Sequence, residues 1–216
     1  MRFFWKKKAK IRMCGTLYAE NRYMKSVYRV LPGLFCAVVF FSCRTVPVQQ
    51  LQISRSLTGT GVMNEKQLVS FFMTNNPRAD ETQVARLARY YISEAHDEGI
   101  NSDVAFAQMC LETGFLRFGG LVTAEMHNYC GLGSIDAEHP GESFKTEQLG
   151  VRAHIQHLNA YGDTDELINP LIDNRAKWVK PRGKAPTVFE LSGTWAADPD
   201  YGKKLDVLLS KLENVR

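Results

Sequence analysis

Between Asn64 and Leu212 the chain is a succession of helix-period apolar runs, most opened by a capping residue and closed by Gly or Asn-Pro. That punctuation constrains the fold more than any other feature. In "NEKQLVSFFMTNNP", Asn64 reads as an N-cap with Gln67 three residues on, and Asn75-Asn76-Pro77 as the stop. "ADETQVARLARYYISEAHDEG" puts Val84, Leu87, Tyr91 and Ala95 on one face, with acids in its first turn and Gly99 at its end. "NSDVAFAQMCLETG" opens on Asn101 or Ser102 and closes at Gly114. "TEQLGVRAHIQHLNAYG" carries a stripe of Val151, Ile155 and Leu158 and ends at Gly162. "TVFELSG" reads as a short helix with Thr187 and Glu190 in a capping-box relation. A last helix opens at Asp198-Pro199 and carries Leu205, Leu208, Leu209 and Leu212. The expectation is one mainly α domain of about six helices. The Gly-rich stretch Asn128–Phe144 supplies a small β-hairpin or loop lobe.

The net charge of +4 misleads about partners. Residues 1–42 hold nine Lys/Arg and one acid, leaving 18 basic and 22 acidic residues in 43–216. A mildly acidic body does not suit a phosphate backbone, so no nucleic-acid partner is expected. The leader explains the excess. Lys25 and Arg29 precede an apolar run from Leu31 to Phe41, and Ser42-Cys43 follows. The run is too short to span a bilayer. It resembles a bacterial lipoprotein signal cleaved before Cys43, which is then acylated, although Phe40 stands where Leu is commonest. Met24 fits as initiator of that signal. The expected organisation is a leader over 1–43, a tether over 44–61 and a folded domain over 62–216. The product would be lipid-anchored on the periplasmic side of a membrane. Cys110 and Cys130, in the folded body, read as buried free thiols.

Chemistry concentrates at "FAQMCLETGF", Phe106–Phe115, a mostly apolar helix that ends on one carboxylate. The helix dipole raises the pKa of an acid at a C-terminus. Leu111, Phe115, Leu116 and Phe118 are placed to desolvate Glu112, which raises it again. A carboxyl kept protonated near neutrality is what a glycosidic general acid needs. Gln108 lies one turn earlier on the same face, where an amide can hold the acid or a sugar hydroxyl.

"AFAQMCLETGFLRFGG" followed by "HNYCGLGS" resembles the core signature of the glucosaminidase domains of glycoside hydrolase family 73. "GESFKTEQLGVRAHIQHLNAYG" and "GKAPTVFELSGTWAADPDYGKKL" resemble the later half of a bacterial branch of that family. The likeness runs from about Met63 to Leu212. It implies a lysozyme-like α+β fold and an endo-β-N-acetylglucosaminidase that cleaves peptidoglycan after N-acetylglucosamine. Carried over, Glu112 becomes the general acid. Asn128 and Tyr129 become part of the sugar cleft, and Trp195 takes the place of a Tyr that precedes Ala-Thr-Asp-Pro. Two departures stand out: Cys130 replaces an aromatic, and the segment from Gly131 to Phe144 is short.

Glycosidases commonly pair two carboxylates. Candidates for the second are Glu125, Asp136, Glu138 and Glu142. Glu142 is favoured because the loop at Gly141 can swing it to the cleft. Without a second acid, the substrate's own N-acetyl oxygen serves as nucleophile. Tyr161, Trp178, Trp195 and Tyr201 are candidate sugar platforms, with Trp195 foremost and Tyr201 better suited to the core. The five His form no metal spacing and read as surface or partly buried residues, so no metal and no cofactor are expected. The competing readings are a muramidase or lytic transglycosylase on the neighbouring bond and a non-catalytic wall-binding lipoprotein. A monomer is expected.

Overall fold

The computed structural model describes residues 52–215. The leader, Cys43 and the tether as far as residue 51 lie outside the described residues. The described chain is mainly helical, with five α-helices: α1 Glu65–Asn75, α2 Glu81–Asp97, α3 Ser102–Glu112, α4 Glu147–Gly162 and α5 Tyr201–Leu212. Two single 3₁₀ turns, Ala124–Met126 and Ala176–Trp178, punctuate the connections.

Asn64 and Asn101 cap as the sequence suggests; Asp80, read as a first-turn acid, and Thr146, not singled out, are caps as well. Asn64 accepts from the Gln67 amide at 3.0 Å while Gln67 accepts from the Asn64 amide at 3.1 Å, a reciprocal box. Asp80, Asn101 and Thr146 cap α2, α3 and α4 by accepting from Thr82, Asp103 and Leu149 amides. Gly99, at φ +66°, turns the chain out of α2, and the Ile100 amide closes on the Ala95 carbonyl at 2.9 Å.

α3 is the central helix. Every residue from Ser102 to Cys110 is buried, and it packs against α1, α2, α4 and α5. A helix apolar on nearly all sides must be enclosed by others. α2 lies across α1 and α4, completing the bundle. Gly150 lets α4 press against the loop that follows α3: a Cβ there would sit 1.8 Å from the His127 carbonyl oxygen.

Three expectations need correction. Residues 52–61 belong to the fold rather than to a free tether. Ile53 and Leu57 are buried, Arg55 pairs with Asp206 at 2.7 Å and with Glu213, and Thr58 bridges Ile100. Apolar anchors and an ion pair outweigh the polar appearance of the segment. "TVFELSG" forms turns, not a helix. Thr187 is drawn into a bridge with Ser56, and Gly193, at φ +73°, reverses the chain after one turn. The Glu190 carboxylate still accepts from the Thr187 amide at 2.9 Å, so the cap signal is met without a helix behind it. α5 begins at Tyr201, because Pro199 and Asp200 are spent in a turn closed by the Tyr201 amide on the Asp198 carbonyl. The lobe over 128–144 is a loop without a named strand. Two hairpin-like bonds close it, Glu142 amide to Leu132 carbonyl at 2.7 Å and Ile135 amide to His139 carbonyl at 2.9 Å.

Candidate active site

α3 ends on Glu112, and the chain leaves it by an unusual route. Gly114, Phe115, Leu116 and Phe118 all have positive φ, between 47° and 59°. Left-handed backbone costs a side-chain-bearing residue about 1 kcal/mol or more. The surroundings over-determine the bend. Thr113 Oγ1 donates to the Met109 carbonyl and accepts from the Leu116 amide, at 2.8 and 2.9 Å. Asn76 Nδ2 donates to the Phe115 carbonyl at 2.8 Å. The Phe115 ring packs on Phe71 and Phe72, with centroids 5.7 and 5.4 Å away. The bend carries Phe118, Gly119 and Gly120 into the wall of a cleft of about 370 Å³ that has Glu112 in its lining. The lining also takes in Asn128, Cys130, Gly131, Trp195 and Tyr201.

Glu112 is exposed to the cleft by surface area, yet protein atoms crowd its carboxyl closely enough to desolvate it. Trp195 Nε1 donates to Glu112 Oε1 at 3.0 Å, and Tyr201 Oη donates to it from the start of α5. Burial pushes the carboxyl above the ordinary carboxylate range; the bonds from Tyr201 and then Trp195 oppose the rise without cancelling it. Burial, followed by the nearby Glu112 charge, drives the Tyr201 phenol far above its ordinary value, so it remains a donor. Of the four side chains expected to desolvate the acid, Phe118 lines the cleft and Phe115 turns away onto α1. Trp195, Tyr201 and Cys130 line the cleft beside the acid. Cys110 and Cys130 are both buried free thiols, and burial pushes both well up.

The remaining expected residues separate into those in the cleft and those behind it. Trp195 lines the cleft, its ring caged by His154, His157 and Tyr161 at centroid distances of 5.9, 5.2 and 5.2 Å. Asn128 also lines it, but its amide is committed to the loop: Nδ2 donates to the Leu132 and Glu142 carbonyls and Oδ1 accepts from the Leu132 amide. Gln108 and Tyr129 do not line the cleft. Gln108 is fully buried and donates to Tyr201 at 2.8 Å. Tyr129 is buried in the core. Glu142 does not line the cleft; its carboxylate faces Arg175 at 3.7 Å over Gly133, because Asn128 and Leu132 pin its backbone. Among the described residues that line the cleft, Glu112 is the one carboxylate.

Two residues have roles that the sequence reading did not anticipate. Tyr201 read as core, and it is buried, yet its hydroxyl serves the acid. His154 read as surface or partly buried; it is fully buried, and burial lowers its pKa to about 3. A signal for it existed, since His154 falls on the Val151–Ile155–Leu158 stripe. A polar residue on a core face requires partners.

The glucosaminidase family model, described as mannosyl-glycoprotein endo-beta-N-acetylglucosaminidase, matches residues 88–214. The chain belongs to this family. The match takes in α3, the cleft loop, α4 and α5 and leaves α1 outside, a shorter span than the likeness read from the sequence. A protein of Borreliella burgdorferi described as uncharacterized is 41% identical over 156 residues, 72% of this chain and 76% of that protein. No solved structure matches. Membership of the glucosaminidase family makes this chain a glycoside hydrolase of the glucosaminidase type.

Proposed function

We propose that the protein is a peptidoglycan hydrolase that cleaves the β-1,4 bond after N-acetylglucosamine, with Glu112 as general acid. The observation that carries this is the Glu112 carboxyl in the cleft, its pKa raised by burial and its Oε1 held by Trp195 and Tyr201. Glu112 gives its proton to the leaving glycosidic oxygen as the C1–O bond breaks. With no second carboxylate in the lining, the acetamide oxygen of the same sugar bonds to C1, giving an oxazolinium ion. The Glu112 carboxylate then takes a proton from water, whose oxygen adds to C1 and releases the acetamide, restoring the acid with net retention.

Glu112→Gln keeps the side-chain size and loses the proton. It should abolish clearing in a cell-wall zymogram, and clearing at the wild-type rate would sink the assignment. A single carboxylate in the lining equally suits a lytic transglycosylase on the neighbouring bond. Mass spectrometry of products from purified sacculi separates the two. Reducing-end N-acetylglucosamine supports the proposal, whereas anhydro-muramic acid supports the other. Lipid anchoring through Cys43 is a further proposal, resting on the pattern from Met24 to Cys43. A mature N-terminus bearing acylated Cys43 is the expected mass, and an intact leader contradicts it.

A further inference from the structure

Behind Glu112 a line of buried polar groups runs from the cleft into the core. Tyr201 Oη meets Glu112 Oε1. Gln108 Nε2 is 2.8 Å from Tyr201 Oη, Gln108 Oε1 is 3.0 Å from His154 Nε2, and His154 Nδ1 is 2.8 Å from Tyr91 Oη. Gln108, His154 and Tyr91 are fully buried, and with Tyr201 they come from α3, α4, α2 and α5. Apolar side chains at these positions would serve packing at least as well as a buried polar chain. What distinguishes the chain is that it terminates on the acid.

Donor counting leaves two self-consistent directions for it. Either every proton points towards Glu112, with His154 protonated on Nε2, or every proton points away, with His154 protonated on Nδ1 and the Gln108 amide turned over. Trp195 favours the first. Its Nε1–H can only donate, and it reaches Glu112 Oε1 at 3.0 Å. The carbonyl oxygen of a protonated carboxyl accepts better than its hydroxyl oxygen, so Oε1 is assigned as the carbonyl oxygen and Oε2 as the hydroxyl. Tyr201 then donates to Oε1 as well, Gln108 presents its N–H to Tyr201, and His154 carries its proton on Nε2.

We infer that Tyr91, His154 and Gln108 are positioning residues that fix Tyr201 as a one-way donor to Glu112 Oε1. Oε2 is left as the oxygen that carries and delivers the proton. The inference rests on Glu112 being the general acid. When Oε2 releases its proton, two donors already point at the charge that forms, with no reorganisation at the moment of reaction. His154 stays neutral. It is faced by Tyr91 from α2, Gln108 from α3, His157 from its own helix and the Trp195 ring. Glu112 is faced by Tyr201 from α5, by Trp195, and by the Cys130 thiol from the loop.

The test is long-range proton–nitrogen spectroscopy of the imidazoles in the ¹⁵N-labelled folded protein, from about pH 5 to about pH 8. His154 should show a protonated Nε2 and a bare Nδ1 throughout. A proton on Nδ1, or an imidazolium within that range, overturns the inference. This readout needs no turnover, so it is separate from failure of the glucosaminidase reading. A second arm follows the alkaline limb of the kcat/KM pH profile. Tyr201→Phe should move it up by about one pH unit, the worth of one hydrogen bond to a charged group. Gln108→Met should move it in the same direction by less. The double variant should move it no further than Tyr201→Phe. Additive shifts would mean that Gln108 does not act through Tyr201.

Discussion

Acid should unfold this protein through one histidine more than any other. Unfolded, the His154 imidazole titrates near its ordinary value of 6.5; folded, burial lowers it to about 3. A base held neutral in the fold contributes its full stability above the unfolded pKa. That stability is lost as pH falls towards the folded pKa, because the unfolded state takes up a proton that the folded state refuses. At about pH 4.5 the unfolded imidazole is about two pH units below its pKa and the folded one is still neutral, so the loss is about 2.7 kcal/mol. That is a large share of the ~5–15 kcal/mol that holds a typical domain together. Asp103 and Glu112 act in the opposite sense. Burial raises both, so the fold binds their protons more tightly and gains stability as pH falls. Comparing wild type with His154→Gln cancels those contributions. Urea unfolding of both proteins at about pH 7.5 and about pH 4.5 gives the difference. Wild type should lose about 2.7 kcal/mol more than the variant over that interval, however much the variant is destabilised at the outset. Equal losses would refute the reasoning, since His154 would then be accepting a proton in the folded state.

Other perturbations test neighbouring parts of the argument. Trp195→Phe keeps the ring against His157 and Tyr161 but removes a donor to Glu112 Oε1; kcat/KM should fall about tenfold or more and its alkaline limb should rise. Gly150→Ala drives a Cβ into the His127 carbonyl oxygen and should cost about 2–3 kcal/mol, read as a lowered Tm. Asn128→Ala unpairs the Leu132 amide and the Leu132 and Glu142 carbonyls. It should speed amide exchange or proteolysis across 131–142 while far-ultraviolet circular dichroism is unchanged.

Much of this fold is legible along the chain because its signals are local. Asn64 and Asn101 each satisfy an orphan amide within three residues, and their spacing marks them as caps; Asp80 and Thr146 do the same, although the sequence reading does not name them as caps. Glu112 is legible for the same reason, since its helix-end position is written in neighbouring residues. What escaped is non-local. Whether Thr187–Gly193 closes as a helix depends on Ser56, more than a hundred residues away. The packing of 52–61 depends on acids in α5. Tyr201 and Gln108 are 93 positions apart and meet only because α3 and α5 pack face to face. Glu142 had loop freedom in its favour, but two backbone bonds and Arg175 hold it elsewhere.

The placement of Glu112 reconciles two opposed demands on one carboxyl. A general acid must hold its proton before bond cleavage and tolerate a negative charge after it. The α3 C-terminus and burial satisfy the first, since both disfavour the anion. Alone they would raise the pKa until the acid could not give up its proton. Trp195 and Tyr201 satisfy the second by donating to Oε1, which lowers the pKa without reaching Oε2, the oxygen proposed to deliver the proton. A charged partner such as Arg175 at the same place would ionise the carboxyl outright. Neutral donors limit the rise while leaving the proton in place, which is why an indole and a phenol suit this position better than a guanidinium.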